Sequence, residues 1–118
     1  MRSLRVAVVG CGRWGLAHAR ALREVEGAEL VAVSDVDPSR ARAAGAKYGV
    51  EWFTSNEELF KIEGLDAVTI CTPPSTHAEV ALSAIRRGLD LLVEKPLATA
   101  SEDALRVVRA AEGEGVGL

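Results

Sequence analysis

Cysteine is scarce in this sequence, which contains only Cys11 and Cys71 among 118 residues. Two thiols do not make a disulfide framework, and their spacing matches no metal site. Each is predicted to lie just beyond a parallel strand, where a small side chain suits a tight turn. We therefore expect both side chains to have a packing role and to bind no metal. We also expect the protein to lie in the reducing cytosol. The alternative is a redox switch, if the two strands are neighbours and the sulfurs approach each other.

Long apolar runs and blocks of like charge are also missing. No stretch approaches the roughly 20 apolar residues of a membrane span. The apolar segment after Arg2 and Arg5 is shorter than the roughly seven to fifteen residues of an export signal. The 14 basic and 17 acidic residues give a net charge of -3, whereas a nucleic-acid-binding domain typically shows a basic stripe. We expect a soluble, cytoplasmic, single-domain chain with neither a membrane nor a nucleic-acid partner.

Glycine, in contrast, is concentrated in a recognisable pattern. Gly10, Gly12 and Gly15 have G-x-G-x-x-G spacing directly after the apolar run Val6–Val9, which lacks a helical period and is typical of a strand buried on both faces. The first glycine permits a tight turn, the second leaves room for a pyrophosphate, and the third lets the following helix pack close to the sheet. The N–H groups and positive dipole end of that helix would face the phosphates.

An acidic residue follows at the spacing that this motif requires. A helical pattern ends at Gly27, a second apolar strand covers Leu30–Val33, and Asp35 comes twenty residues after the third glycine. A carboxylate there can accept both hydroxyls of an adenosine ribose and would repel a 2′-phosphate. The sequence therefore predicts a dinucleotide site that prefers NAD, with NADP kept open by Ser34 and Arg40. The alternative is a flavodoxin-like α/β domain with a glycine turn and a solvated aspartate.

Strand and helix patterns alternate along the chain, which predicts an α/β protein with a doubly wound parallel sheet, a Rossmann fold, and helices on both faces. One such domain covers residues 1–118. Four of the helices begin with predicted capping residues, namely Asp37-Pro38, Ser55 with Glu58, Thr76 with Glu79, and Thr99 with Glu102. The predicted elements beyond the second strand are the helix Ser39–Tyr48, the strand Glu51–Phe53, a helix through Phe60, the strand Asp66–Cys71, a helix from Thr76 to Arg87, the strand Leu89–Val93 and a helix capped by Thr99 and Glu102.

The fourth predicted strand runs into a rigid loop, Thr72-Pro73-Pro74-Ser75-Thr76-His77. Ligands bind at the carboxyl ends of strands in open α/β sheets, so this loop is predicted to wall the adenine and ribose side of a cofactor, with Thr72 and Ser75 as hydrogen-bonding groups. His77 lies in the first turn of a helix, whose dipole disfavours the charged imidazole. We expect it either to contact cofactor or substrate or to be a solvated or packing residue.

The fifth predicted strand ends at Glu94-Lys95-Pro96. A lysine in such a crevice can bind a substrate hydroxyl, help to move its proton as hydride leaves the same carbon, and stabilise the developing alkoxide. The alternative is a solvated lysine. Glu94 is expected to orient Lys95 or to cap the next helix, and the bond before Pro96 is a candidate for cis geometry.

Four segments, in this order, resemble the Gfo/Idh/MocA oxidoreductases, a family that includes glucose-fructose oxidoreductase and inositol dehydrogenase. The segments are Val-Val-Gly-Cys-Gly-Arg-Trp-Gly, Ser-Asp-Val-Asp, Cys-Thr-Pro-Pro-Ser-Thr-His and Glu-Lys-Pro-Leu-Ala. The resemblance covers the whole chain. It implies the NAD(P)-binding domain of an enzyme that transfers hydride to or from the carbon bearing a hydroxyl of a sugar, cyclitol or related polyol.

The resemblance also implies roles for particular residues. Lys95 matches the active-site lysine of the family and is the predicted catalytic residue. Arg13 and Trp14 would supply backbone N–H groups to the phosphate loop, Asp35 would bind the ribose, and Arg40 would lie near the adenosine. The predicted cofactor-binding residues are Gly10, Gly12, Arg13, Trp14, Gly15, Asp35, Arg40, Thr72, Pro73, Pro74, His77 and Glu94.

Family members carry a second α/β domain, which holds most of the substrate pocket and a further catalytic aspartate and histidine. These 118 residues contain none of it, so we expect a fragment or a stand-alone N-terminal domain that binds cofactor without full turnover. Apolar surface near Leu97, Val116 and Leu118 would then be exposed and would favour a homo-oligomer. Two alternatives are a non-catalytic NAD-sensing module, which needs no Lys95, and a reductase of the homoserine or dihydrodipicolinate type.

Overall fold

The computed structural model describes residues 4–24 and 27–93, which form a five-stranded parallel sheet with helices on both faces. The elements in chain order are β1 (Leu4–Val9), α1 (Arg13–Glu24), β2 (Ala28–Ser34), α2 (Pro38–Tyr48), β3 (Glu51–Phe53), α3 (Asn56–Phe60), β4 (Ala67–Ile70), α4 (His77–Arg86) and β5 (Asp90–Val93), with one 3-10 turn (Pro74–Thr76) before α4. The strand order β3-β2-β1-β4-β5 confirms the predicted doubly wound fold. Its crevice lies where the winding reverses, between the carboxyl ends of β1 and β4.

The central strand β1 is buried from both sides, as its unbroken apolar sequence predicts. Ala7 and Val9 point to one face of the sheet and Val8 to the other, and each is at most 1% exposed. Such a strand pairs with neighbours on both edges, here β2 and β4. Strand β1 therefore places its carboxyl end in the middle of one edge of the sheet.

The two helical layers pack on separate cores. Helices α1 and α2 share one face, and α3 and α4 cover the opposite face. The core under α1 and α2 consists of Val8, Cys11, Ala19, Leu30, Val33, Ala44 and Tyr48. The largest fully buried apolar side chains of the other core are Leu59, Ile70, Ile85, Val9 and Val68.

Two of the predicted helix caps are present. The Asp37 carboxylate accepts the Ser39 N–H at 2.9 Å, and Gly49 ends α2 with a left-handed φ of 66°. The Ser55 hydroxyl accepts the Glu58 N–H at 3.4 Å and caps α3.

The predicted cap of α4 at Thr76 is wrong. Its backbone is already helical, and its hydroxyl donates to the Pro73 carbonyl at 2.7 Å instead of accepting from α4. The preceding 3-10 turn supplies this local acceptor, because Ser and Thr hydroxyls bond to nearby backbone groups wherever a turn offers one.

Several predictions lie outside the described residues. These concern the helix of Thr99 and Glu102, the Glu94-Lys95-Pro96 segment, and the apolar positions Leu97, Val116 and Leu118. Within the described ranges, no helix combines the length and apolar character needed to cross a membrane.

Candidate functional site

The loop between β1 and α1 turns sharply because Gly10 adopts a left-handed backbone with φ of 99°. A Cβ at Gly10 would lie 2.8 Å from the carbonyl carbon and oxygen of Cys71, closer than real Cβ atoms come. The Gly10 N–H donates to the Ser34 carbonyl at 2.7 Å, and the Cys71 N–H donates to the Val9 carbonyl at 2.7 Å. The loop is thus held between the carboxyl ends of β2 and β4, as the glycine pattern predicts.

Gly15 brings the first turn of α1 down onto this loop. A Cβ at Gly15 would lie 1.7 Å from the Gly10 carbonyl oxygen and 2.7 Å from the Gly10 carbonyl carbon. No side chain fits that space, and a backbone carbonyl cannot swing aside as a flexible side chain can. The predicted close packing of the helix on the strand end is confirmed.

Gly12 is different, since a Cβ built on it would meet nothing within 4 Å in the described part of the chain. Its carbonyl accepts the Leu16 N–H at 3.0 Å, which is the first hydrogen bond of α1. The N–H groups of the first helical turn, beginning at Arg13, have no acceptor within the helix. They and the positive end of the helix dipole form a surface suited to an anion. The absence of a side chain at Gly12 leaves this surface open.

Asp35 reaches this loop from the end of β2. Its Oδ2 accepts the Cys11 N–H at 2.8 Å, and its Oδ1 accepts the Asp37 N–H at 2.9 Å. The carboxylate is half-buried. The sequence predicted a ribose acceptor here but not the contact with the glycine loop. The glycine motif and the acid therefore meet at one edge of the sheet, as the spacing requires, and the acid also helps to hold the loop.

Cys11 is a buried structural residue, as expected. Its Sγ–H donates to the Ser34 carbonyl at 3.3 Å. Burial, with a smaller contribution from the nearby Asp35 carboxylate, raises the pKa of the Cys11 thiol from 9.0 to about 12. Both cysteines are free thiols. Within the described ranges, no three His, Cys, Asp or Glu side chains group so as to hold a metal.

Ser34 supports the loop in a way that the sequence does not predict. It is fully buried, its hydroxyl donates to the Asn56 Oδ1 at 2.7 Å, and its carbonyl accepts from Gly10. A polar residue at the end of an otherwise apolar strand is the signal that could have identified it, but its partner at the start of α3 is set by the fold.

The loop after β4 lies against the glycine loop. The Thr72 backbone nitrogen is 3.0 Å from the position that a Cβ on Gly10 would take. The Thr72 Oγ1 is buried and has no hydrogen-bond partner among the residues that the structure describes. Buried polar atoms are normally satisfied, so an orphaned hydroxyl at the reversal of the sheet indicates that a bound molecule supplies its partner. Pro73 acts through its carbonyl, which accepts the Thr76 N–H at 2.9 Å.

His77, the first residue of α4, supports the same loop. Its side chain is 1% exposed, and its Nε2 is hydrogen-bonded to the Thr72 carbonyl. In this position the ring fixes the backbone beside the Thr72 hydroxyl. Of the two roles predicted for His77, the geometry favours packing over direct contact with a ligand.

The remaining predicted site residues are more peripheral. Arg13 begins α1 and is exposed, and the backbone of Trp14 lies in the same first turn. Arg40 is exposed in the first turn of α2, with its Nε 3.8 Å from the Asp37 Oδ2. Pro74 begins the 3-10 turn. Lys95 and Glu94 lie outside the described residues.

The fold and this site define a nucleotide-binding α/β domain. Its sheet order, its glycine turn and the acid that closes β2 are the features by which such domains hold a diphosphate and a ribose. The chain belongs to the Gfo/Idh/MocA family, since the family model described as "Oxidoreductase family, NAD-binding Rossmann fold" matches residues 4–118.

Relatives and solved structures agree with this assignment. The chain is 41% identical over 117 residues to inositol 2-dehydrogenase 3 of Saccharopolyspora erythraea, covering 98% of this chain and 35% of that protein. It is 34% identical, with a TM-score of 0.93, to the WlbA dehydrogenase of Bordetella pertussis solved with NADH and UDP-GlcNAcA, covering 98% of this chain and 35% of that one. It is 28% identical, with a TM-score of 0.91, to a mutant of a 3-ketoreductase from Actinomadura kijaniata solved with TDP-benzene and NADP; 98% of this chain and 37% of that one are covered. The chain thus spans about a third of the length of these proteins.

Proposed function

We propose that this chain is the cofactor domain of an NAD-dependent oxidoreductase that acts on a hydroxyl of a sugar, cyclitol or related polyol. The observation that carries the proposal is the hydrogen bond of 2.8 Å between the Asp35 carboxylate and the Cys11 N–H. It joins the acid proposed to bind the ribose to the glycine loop, beside the opening at Gly12. Those two features are the ones that adenosine ribose and diphosphate require together.

Each part of the dinucleotide has a fitting group. The N–H groups of the first turn of α1 would hold the diphosphate, and Asp35 would accept the ribose hydroxyls. The orphaned Thr72 hydroxyl would gain its missing partner from the cofactor, with Pro73 and His77 keeping that loop in place. When bound, the nicotinamide ring supplies hydride chemistry.

We expect NAD as the cofactor, because Asp35, if it binds the ribose, would put a negative charge where NADP carries its 2′-phosphate. Arg40 is exposed nearby on α2, and an arginine can accommodate that phosphate. One solved relative holds NADH and another holds NADP. We propose that this chain binds both cofactors and binds NAD more tightly.

The relatives support the proposed substrate class. Several curated relatives are inositol 2-dehydrogenases, and one solved relative holds UDP-GlcNAcA. We propose that Lys95 handles the proton of the substrate hydroxyl, because an ammonium group stabilises the developing alkoxide. Since the chain spans about a third of these proteins, we further propose that another domain completes the substrate pocket and that these 118 residues bind cofactor without full turnover.

Calorimetric titration of the full chain with NADH and NADPH tests the cofactor assignment. We expect saturable one-site binding of NADH, weaker binding of NADPH, and an NADH affinity lowered at least about tenfold by Gly12→Ala, whose methyl group would stand against the diphosphate. The control is Ala43→Ser on the exposed side of α2, which should bind as the wild type does. Absence of saturable binding, or equal affinity in the Gly12→Ala variant, would refute the proposal.

A further inference from the structure

The charge of the chain is unevenly distributed over its two helical layers. Helices α1 and α2 carry six basic side chains and one acidic side chain, for a net charge of +5, although the whole chain has a net charge of -3. All six basic side chains are exposed. The even mixing of charges along the sequence hides this difference, because only the fold places both helices on one face of the sheet.

A groove lies between these two helices. It encloses about 310 Å³ and is lined by Arg13, Leu16, Ala17, Arg20, Lys47 and Tyr48. Three of these residues are basic and none is acidic. The other three give the groove a floor that is mostly apolar. We call it the α1–α2 groove.

The walls of the α1–α2 groove are fixed in place. The Tyr48 hydroxyl donates to the Leu16 carbonyl at 3.2 Å, which ties the end of α2 to the beginning of α1. The Arg23 guanidinium donates to the Tyr48 carbonyl at 2.5 Å. The Lys47 Nζ lies 5.6 Å from the centre of the Tyr48 ring. These contacts hold the floor and one of the cations in a defined arrangement, so little order would have to be gained on binding.

We propose that the α1–α2 groove is a binding site for a small phosphate ester, separate from the dinucleotide site. Three of the lining side chains are basic and none is acidic, so a dianion bound among them would be attracted by each. Two of the cations are guanidinium groups, whose planar donors match phosphate oxygens in pairs. The apolar floor suits the organic part of an ester, and the volume is at the small end of ligand pockets.

This site goes beyond the proposed cofactor function. The cofactor would use the backbone N–H groups at the first turn of α1 and the Asp35 carboxylate, whereas the groove continues along α1 through Ala17 and Arg20 to the end of α2 at Lys47. Arg13 is the one lining residue that also belongs to the phosphate loop. The two sites can therefore be tested separately by leaving Arg13 intact and changing Arg20 or Lys47.

The test is an amide NMR titration of the full chain with glycerol 3-phosphate, performed without dinucleotide and again at saturating NADH. We expect saturable shifts at Leu16, Ala17 and Tyr48 under both conditions. Arg20→Gln and Lys47→Gln should each weaken the affinity about fivefold, as expected for one exposed charge-assisted contact. The matched control is Arg42→Gln, an equal loss of charge on α2 outside the groove, which should change the affinity less than about twofold.

Three results would overturn the proposal. One is a footprint at Gly10, Gly12 and Gly15 that disappears with NADH, since the phosphate would then bind only at the glycine loop. Another is an Arg42→Gln variant that weakens binding as much as Lys47→Gln, which would indicate general charge attraction. The third is a set of shifts that never saturates or that neutral glycerol reproduces. A chain that fails to bind NADH but shows the expected footprint would refute the proposed function and leave this site standing.

Discussion

At the scale of single residues, the site depends on two glycines that have opposite surroundings. A Cβ at Gly15 would lie 1.7 Å from a backbone oxygen, whereas a Cβ at Gly12 would have no neighbour within 4 Å among the described residues. The same one-methyl change should therefore have different consequences at the two positions. Gly15 is required by the packing of the loop, whereas we propose that Gly12 is required by the ligand.

We predict that Gly15→Ala strongly destabilises the chain, by roughly 3 kcal/mol or more, because the backbone around Gly10 must move. Gly12→Ala should lower the free energy of unfolding by no more than about 1 kcal/mol, the scale of a helix-cap change. Urea unfolding of the two variants measures both values. Equal stability losses would show that the glycine loop is not packed as described.

Asp35 has an observed structural role, in which it accepts the Cys11 N–H, and a proposed role in binding the ribose. We predict that Asp35→Ala weakens NADH binding about tenfold or more, because a carboxylate acceptor of the ribose is lost. The affinity for NADPH should fall less, because the repulsion of its 2′-phosphate disappears. The difference in affinity between the two cofactors therefore narrows. Parallel calorimetric titrations measure it, with the neighbouring carboxylate variant Asp37→Asn as control. An unchanged preference for NADH over NADPH would count against the assignment of Asp35.

The Cys11 thiol provides a test of burial at the same site. A pKa raised from 9.0 to about 12 corresponds to about a thousandfold less thiolate at neutral pH, and thiolate is the reactive form. In a Cys71→Ser variant, we predict that iodoacetamide modifies Cys11 far more slowly in the native chain than in urea. Mass spectrometry follows the reaction. Equal native and unfolded rates would place the Cys11 thiol outside the core.

The residue-level chemistry of the site could be predicted only in part. The roles of Gly10 and Gly15 follow from sequence spacing, because each strand of a βαβ unit delivers its loop to the same edge. The contact between Asp35 and the Cys11 N–H could not be foreseen, since it depends on how closely β1 and β2 end together. The burial of His77 was equally hidden, because the first turn of a helix does not reveal which face is covered.

At the scale of elements, local hydrogen bonds decide where the helices begin. Asp37 and Ser55 accept from their own helices, as their positions predict. Thr76 does not, because the 3-10 turn before α4 offers its hydroxyl the Pro73 carbonyl. A sequence pattern identifies a residue able to cap a helix but cannot show that another acceptor is closer.

The Asp37 cap of α2 contributes to the stability of the chain in a way that depends on pH. The hydrogen bond from the Ser39 side chain, with those from the Ser39 and Arg40 backbone, lowers the pKa of Asp37 below its usual value. A carboxyl group whose pKa is lower in the folded chain stabilises it above the unfolded pKa of about 4 and loses that effect as the pH falls. We predict that Asp37→Asn loses less stability than the wild type between about pH 6 and pH 3. Thermal unfolding across this range measures it, and parallel curves would contradict the role of the Asp37 charge.

At the scale of the whole molecule, alternating strand and helix patterns were sufficient to predict the doubly wound sheet and its two helical layers. Short parallel crossovers permit few other arrangements. The unequal charge of the two layers was not predicted. Net charge and runs of like charge can be seen in the sequence. The concentration of a +5 charge on one face of the sheet cannot, because it depends on the fold placing both α1 and α2 on that face.

The central claim is that a diphosphate lies on the first turn of α1 while its adenosine ribose is held by Asp35. A crystal structure of the chain with NADH tests it most directly. We predict diphosphate oxygens within hydrogen-bonding distance of the N–H groups that follow Gly12, and ribose hydroxyls on the Asp35 carboxylate. A dinucleotide bound elsewhere, with the glycine loop and Asp35 untouched, would contradict the account.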